Sequence, residues 1–169
     1  MCWAYNRQYG TQYLTVMPTN LYGPEDNYDL QNSHVLPALI RKMHEAKVRG
    51  DKEVIVWGTG TPRREFLYGD DMADACVFLM NLPDEEFTAI LTHHLLPPLI
   101  NMGCGKDMTI HELAHIIREI VGFKGEIKMD ASKPDGTPQK LLDVGQLNTL
   151  GWYAVTGLEQ GIAKAYDTI

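Results

Sequence analysis

Serine is nearly absent: Ser33 and Ser132 are the two serines in 169 residues. Neither stands in G-x-S-x-G, so a serine hydrolase has no nucleophile to draw on. Cysteine is scarce too. Cys2, Cys76 and Cys104 are an odd set without C-x-x-C spacing, which fits reduced thiols better than a disulfide or structural-zinc framework. Cytoplasm is the expected location. No apolar run approaches the roughly 20 residues of a membrane span, and the opening ten residues hold no apolar signal core. Positive charge is in deficit, with net charge −7 and Lys and Arg scattered along the chain. That balance argues against nucleic acid or an anionic membrane as partner. A complete G-x-G-x-x-G, a Walker loop and a Tyr-x-x-x-Lys pair are also missing from these residues.

What is present is enough for a core. At 44% hydrophobic, the chain suits one compact domain rather than two. Trp3, Tyr5, Tyr9 and Tyr13 suggest the tail of a helix closed by Gly10, and Tyr13 to Asn20 reads as a strand broken by Gly23-Pro24. His34 to Lys47 is helical, with Ser33 as N-cap and Pro37 in its first turn. Strands are expected at Glu53–Trp57, Glu65–Tyr68, Leu99–Gly103 and Glu126–Asp130. Helices are expected from Asp70 to Met80, Thr109 to Val121, Leu141 to Leu150 and Leu158 to Ile169. Leu82 to Pro98 reads as an irregular surface connection. Strands and helices alternate without repeat, so the fold class is α/β with some parallel pairing.

His111-Glu-Leu-Ala-His115 fits H-E-x-x-H, a zinc-peptidase pattern. The same residues fit a simpler role. Thr109-Ile-His-Glu112 is a capping box on a helix that must bury Ile110, Leu113, Ile116 and Ile117, so no metal is expected there. Gly58-Thr-Gly60 and Gly103-Cys-Gly105 are strand-end turns. Lys42, Trp57, Arg64, Asp135 and Lys140 lie near element ends or in loops, where cations can meet a diphosphate, an indole a base and a carboxylate a ribose or base donor. Taken singly, each is also an ordinary surface group.

The order of several motifs resembles one family closely. Tyr5-Asn-Arg-Gln-Tyr-Gly10, Val16-Met-Pro-Thr-Asn-Leu-Tyr-Gly-Pro24, Asn32-Ser-His-Val-Leu-Pro-Ala-Leu39, Val56-Trp-Gly-Thr-Gly-Thr-Pro62 and Asp130-Ala-Ser-Lys-Pro-Asp-Gly-Thr-Pro138 are similar to the C-terminal portion of the GDP-L-fucose synthases. These belong to the extended short-chain dehydrogenases. The resemblance implies an incomplete Rossmann sheet plus a small α/β substrate-binding region, spanning residues 1–169 as one portion without the dinucleotide-binding half. It implies NADP(H) as cofactor, a GDP-sugar as substrate, and a dimer in the complete enzyme. It implies epimerisation at C3 and C5 of GDP-4-keto-6-deoxy-D-mannose followed by reduction at C4. His34 is then the catalytic histidine. Pro18, Thr19, Asn20, Leu21 and His34 would face the cofactor, while Asn20, Lys42, Trp57, Arg64, Asp135 and Lys140 would hold the GDP-sugar. Lys42 stands where an arginine is common, exchanging a bidentate contact for a point charge. Gly69 replaces a branched or small polar residue.

The family's glycine-rich loop, epimerase cysteine and Tyr-x-x-x-Lys precede the matched stretch. Turnover is therefore expected to need a separately encoded N-terminal half or a longer chain. A non-catalytic nucleotide-sugar-binding fragment and an inactive relic stay open as alternatives. A parallel sheet deprived of partners exposes strand edges, so the isolated chain should be marginally stable or oligomeric. Sedimentation combined with thermal melting checks this, and a monomer with a cooperative, high-temperature melt would contradict it.

Overall fold

The computed structural model describes residues 1–30, 32–93 and 97–169. In order the elements are α1 (Cys2–Tyr9), β1 (Thr15–Pro18), β2 (Asn20–Tyr22), α2 (Val35–Arg49), β3 (Glu53–Trp57), β4 (Arg63–Tyr68), α3 (Gly69–Met80) and α4 (Asp84–Leu91). They continue with β5 (Leu99–Met102), β6 (Asp107–Thr109), α5 (Ile110–Val121), β7 (Glu126–Asp130), β8 (Gln139–Lys140), α6 (Gly145–Thr149) and α7 (Leu158–Tyr166). Parallel pairing joins β1 to β5, β2 to β4, β3 to β7 and β4 to β8, and only β4–β6 runs antiparallel among the described strands. The α/β expectation holds.

Two apolar clusters form the interior. In one, Leu36, Ile40 and Met43 of α2 meet Leu113 and Ile117 of α5, over Val54 and Val56 of β3. In the other, Ala75 and Leu79 of α3 pack with Ile100 and Met102 of β5 and with Leu147 and Trp152. Alternation in β3 explains its half-buried face: Val54 and Val56 point inward while Glu53, Ile55 and Trp57 are exposed, as a period of two requires.

The expected Tyr13–Asn20 strand is two strands, because the chain changes sheets at Thr19. Its N–H donates to the Met102 carbonyl at 2.9 Å on the β5 side, while its hydroxyl donates to the Glu65 carbonyl in β4 at 3.2 Å. Ser33 is not the α2 cap; His34 holds that position without a side-chain bond, and the Ser33 hydroxyl is buried without a partner among the described residues. The 82–98 connection contains α4, whose Asp84, Glu85 and Glu86 occupy the first turn. Their acidity complements the helix N-terminus rather than marking a loop. The rest of that connection includes His94, Leu95 and Leu96, which lie outside the described residues. The helix expected from Leu141 begins only at Gly145, because the Leu142 N–H donates to the Glu65 carboxylate and the Asp143 carboxylate takes the Gly145 N–H. β6 and β8 are too short to carry a periodic pattern.

Glu65 is fully buried. Its carboxylate accepts from Gly105 N–H at 2.7 Å and Leu142 N–H at 3.0 Å, which a buried charge needs. A Cβ at Gly103 would collide with it. Asp71, the other buried carboxylate among the described residues, accepts from the N–H and hydroxyl of Thr156 at 2.9 and 2.8 Å.

The capping box is present in full. Thr109 accepts from Glu112 N–H at 3.1 Å, and the Glu112 carboxylate accepts from Thr109 N–H at 2.8 Å. Thr109→Ala should cost about 1 kcal/mol. Thr109→Ala and Glu112→Ala together should cost less than the two single changes added, since both remove the bond from the Thr109 hydroxyl to the Glu112 carboxylate. Urea unfolding midpoints of the four variants check this.

Candidate functional site

Carboxyl ends of parallel strands and the turns that follow them are where an open α/β sheet leaves room for a ligand. Here the end of β3, the turn that follows it and the start of β4, the first half of α2, the start of α5 and the 134–136 loop enclose a cavity of about 350 Å³. Four of the residues singled out in the sequence line it together: Lys42, Trp57, Arg64 and Asp135. They come from four separate segments. Lys140 sits beside them, paired with Arg64 in the parallel β4–β8 register.

Each of these side chains is held differently. Lys42 donates to the Ile55 carbonyl at 2.7 Å, and burial lowers its pKa below the ordinary lysine value. The Arg64 guanidinium donates through Nη1 to the carbonyls of Arg63 and Thr137, at 2.7 and 2.6 Å. Asp135 accepts on Oδ1 from Thr59 N–H at 2.9 Å and on Oδ2 from the Thr59 hydroxyl at 2.7 Å. Trp57 is 67% exposed, an unusual state for a residue so costly to hydrate. The ammonium groups of Lys42 and Lys133 lie 5.9 and 5.6 Å from its ring centroid.

The cations of this face lack carboxylate partners, a condition they share with Arg7, Lys47, Lys52, Lys106, Lys124 and Lys164 elsewhere among the described residues. Among the described residues, Arg41, Arg49, Arg63, Arg118 and Lys128 form ion pairs, whereas Lys42, Arg64, Lys133 and Lys140 form none. Cations beside an exposed indole suit an anionic ligand with an aromatic part. Lys133 escaped the sequence reading although it lies within the Ser-Lys-Pro-Asp motif. Thr59 did as well, because nothing in its spacing reveals a carboxylate from a distant loop.

The other anticipated site residues lie apart from this cavity. Asn20 spends its amide on the Glu65 carbonyl at 2.7 Å, beside Thr19 on the same acceptor. Pro18 ends β1, and Leu21 in β2 is exposed. His34 is exposed at the α2 N-cap, between Ser33 and Val35, which do line the cavity.

Comparison with known proteins adds to this geometry. The model described as the NAD dependent epimerase/dehydratase family matches residues 1–90. The chain belongs to that family. Within it, the chain is similar to the GDP-L-fucose synthase of Escherichia coli (strain K12), 54% identical over 170 residues, covering 99% of this chain and 51% of that protein. A solved GDP-6-OMe-4-keto-L-xylo-heptose reductase from C. jejuni matches with TM-score 0.90 and 36% identity, over 99% of this chain and 56% of that one. MlghC, a GDP-mannoheptose C4 reductase from Campylobacter jejuni solved with NADP bound, matches with TM-score 0.80 and 34% identity, over 99% of this chain and 55% of that one. The chain spans about half the length of the curated relatives it matches. The resemblance to GDP-L-fucose synthases carried by the sequence motifs is what these matches return. No helix among the described residues is long and apolar enough to cross a membrane.

The H-E-x-x-H residues of this epimerase/dehydratase-family chain lie on α5. The Glu112 carboxylate is engaged at the helix start, and the His111 and His115 rings are 4.5 Å apart. Among the described residues, no group of three or more metal-ligating side chains is assembled. Burial, then repulsion from His111 and Arg118, lowers the His115 pKa below 6.5. The folded state thus takes up that proton less readily than the unfolded state. The stability it preserves is complete above about pH 6.5 and declines as pH falls towards the lowered value. His111→Gln should flatten that decline, read as the melting temperature between about pH 7.5 and 5.5.

Proposed function

We propose that this chain is the GDP-sugar-binding portion of a GDP-L-fucose synthase. The observation that carries the reading is the cavity in which Lys42, Trp57, Arg64 and Asp135 converge from four segments. Trp57 offers a stacking face for a base, Lys42 and Arg64 offer charge to a diphosphate, and Lys140 extends the cationic rim from β8. A GDP-sugar combines those features. The reaction would be C3 and C5 epimerisation of GDP-4-keto-6-deoxy-D-mannose followed by reduction of the C4 ketone.

His34 is the group assigned to proton transfer. It is exposed at the head of α2, next to cavity-lining neighbours, and an imidazole can serve as general acid or base. The protons at C3 and C5 are acidic because the 4-ketone stabilises the enolate, so a base and an acid suffice once that carbonyl is polarised. Pro18, Thr19, Asn20 and Leu21 fit the nicotinamide end of NADP(H). Pro18 and Leu21 offer exposed apolar surface, and the bonds of Thr19 and Asn20 to the Glu65 carbonyl hold the turn rigid. The phosphates of NADP(H) have no glycine-rich turn to meet in these residues. NADPH, when bound, supplies the hydride for the ketone. The carbonyl-polarising tyrosine is likewise assigned to a second polypeptide or a longer chain, and the complete enzyme to a dimer.

A fluorescence titration with GDP, read at Trp57, tests the binding half of this reading. The wild-type chain should bind, and Arg64→Ala should weaken binding by about tenfold or more, as expected for a lost charged hydrogen bond. The catalytic half is tested by NADPH oxidation with the keto-sugar. Turnover should appear only when a polypeptide carrying Tyr-x-x-x-Lys is added. In that mixture His34→Asn should slow deuterium exchange at C3 or C5 by about 10² or more. Turnover by the chain alone would overturn the assignment of the tyrosine elsewhere.

A further inference from the structure

The cap at Thr109 accounts for Glu112 in His111-Glu-Leu-Ala-His115 and leaves the two imidazoles without a task. His111 is exposed on α5 and His115 half-buried, while Ile110, Leu113, Ala114 and Ile117 of the same helix are buried in the core. Neighbours four apart on a helix have Cβ atoms about 5–6 Å apart. The two ring centres are 4.5 Å apart, at an interplanar angle of 50°. The rings therefore converge beyond their stems without stacking. Among the described residues neither ring makes a hydrogen bond or an ion pair, whereas the His44 ring is bonded through Nδ1 to the Tyr166 hydroxyl at 3.0 Å.

An ion bound by imidazole sits about 2.0–2.1 Å from the nitrogen, so two nitrogens that share one ion come within about 4 Å of each other. Ring centres 4.5 Å apart permit this with no change in the helix. The backbone beneath them is fixed. Thr109 and Glu112 cap one end of α5, Gly122 closes the other, and the His111 N–H donates to the Gly60 carbonyl at 3.0 Å. Both flanking carboxylates are already engaged, Glu112 by the Thr109 N–H at 2.8 Å and Glu119 by Arg118 at 2.7 Å. The donor set is thus nitrogen alone, which suits nickel, copper and zinc rather than calcium, magnesium or manganese. With two protein ligands, water completes the coordination sphere. Such an ion exchanges freely, unlike one in the closed four-ligand set of a structural zinc site.

We propose that His111 and His115 form a two-imidazole chelate on α5 that binds one divalent cation of the nickel, copper and zinc class, exchangeably and without Glu112. The site is separate from the β3-end cavity and does not depend on the GDP-sugar reading. Arg118, one turn further along, opposes a bound cation, but its own charge is matched by Glu119. The H-E-x-x-H residues then serve two ends at once: the carboxylate starts the helix, and the imidazoles face solvent as a pair.

The experiment is calorimetric titration of Ni²⁺ into the full chain without nucleotide, with thermal melting run alongside. Ni²⁺ is the probe because Cu²⁺ would oxidise the free thiols of Cys2, Cys76 and Cys104. The wild type should bind one ion and melt at a higher temperature in its presence, because the converged pair exists only in the folded helix. His111→Gln and His115→Gln should each weaken binding by about 10², the loss expected when one of two linked contacts is removed. Both should also lose the melting shift, at metal-free urea midpoints that match the wild type. His93→Gln combined with His94→Gln removes the adjacent histidine pair and should leave Ni²⁺ binding unchanged. Mn²⁺ should bind more weakly than Ni²⁺, and Ca²⁺ should not bind. Paramagnetic Ni²⁺ should broaden the ring-proton signals of two of the six histidines first, a reading on the wild type that needs no variant to fold. Absence of both heat and melting shift would overturn the chelate. So would two bound ions with each single variant removing one, loss of binding in the His93/His94 double variant, or Ca²⁺ binding as well as Ni²⁺.

Discussion

A buried carboxylate holds the centre of this molecule together. Glu65 receives two backbone N–H groups on its side chain and two side-chain donors on its carbonyl. Those four bonds come from the β1–β2 crossing, the turn after β5 and the segment that leaves β8. All three are stretches where the chain has left regular pairing and its polar groups need partners. Each of the four bonds is at least partly shielded, and together they tie the three stretches to β4. Arg64 is the residue before Glu65, and the cavity inherits that rigidity.

The candidate site is built with the opposite economy. Its cations are held by carbonyl oxygens instead of carboxylates, as with Lys42 on Ile55 and Arg64 on Thr137. A carbonyl orients a cation without neutralising it, leaving the charge available to an incoming anion. Elsewhere some cations are matched with acids, as with Arg63 on Asp107 and Arg41 on Glu45, while Lys47 is held by the Val121 carbonyl as the site cations are by theirs. A sequence distinguishes the two kinds of lysine and arginine poorly. The contrast emerges only when neighbours distant along the chain are known.

What the sequence made legible follows from range. The helix stop at Gly10, the capping box at Thr109 and the strand from Glu53 to Trp57 are written within a few residues, and each was read correctly. The cavity set was named through family motifs rather than through any local pattern, and the structure brings four of its members together. Failures occurred where a distant partner decides the local conformation. Thr19 breaks an apparent strand because β4 and β5 lie on either side of it, and Leu142 stays extended because Glu65 claims its N–H. Ser33 looked like a cap by residue type, yet its neighbour takes the position. The acidic run before Phe87 resembled a solvated loop until its place at a helix start gave the charges something to oppose.

The first helix carries a consequence of its own. α1 buries none of its eight residues, and helices of that length gain little in water without tertiary packing. Its internal support is local: Tyr5 lies 5.2 and 6.4 Å from the rings of Tyr9 and Tyr13, and the Asn6 amide reaches the Tyr13 carbonyl. Such a segment frays on its own clock, well ahead of the cores beneath α2 and α3. Its amide protection is then a gauge of occupancy: slow exchange from Cys2 to Tyr9 would register the presence of a covering surface, read without naming that surface beforehand.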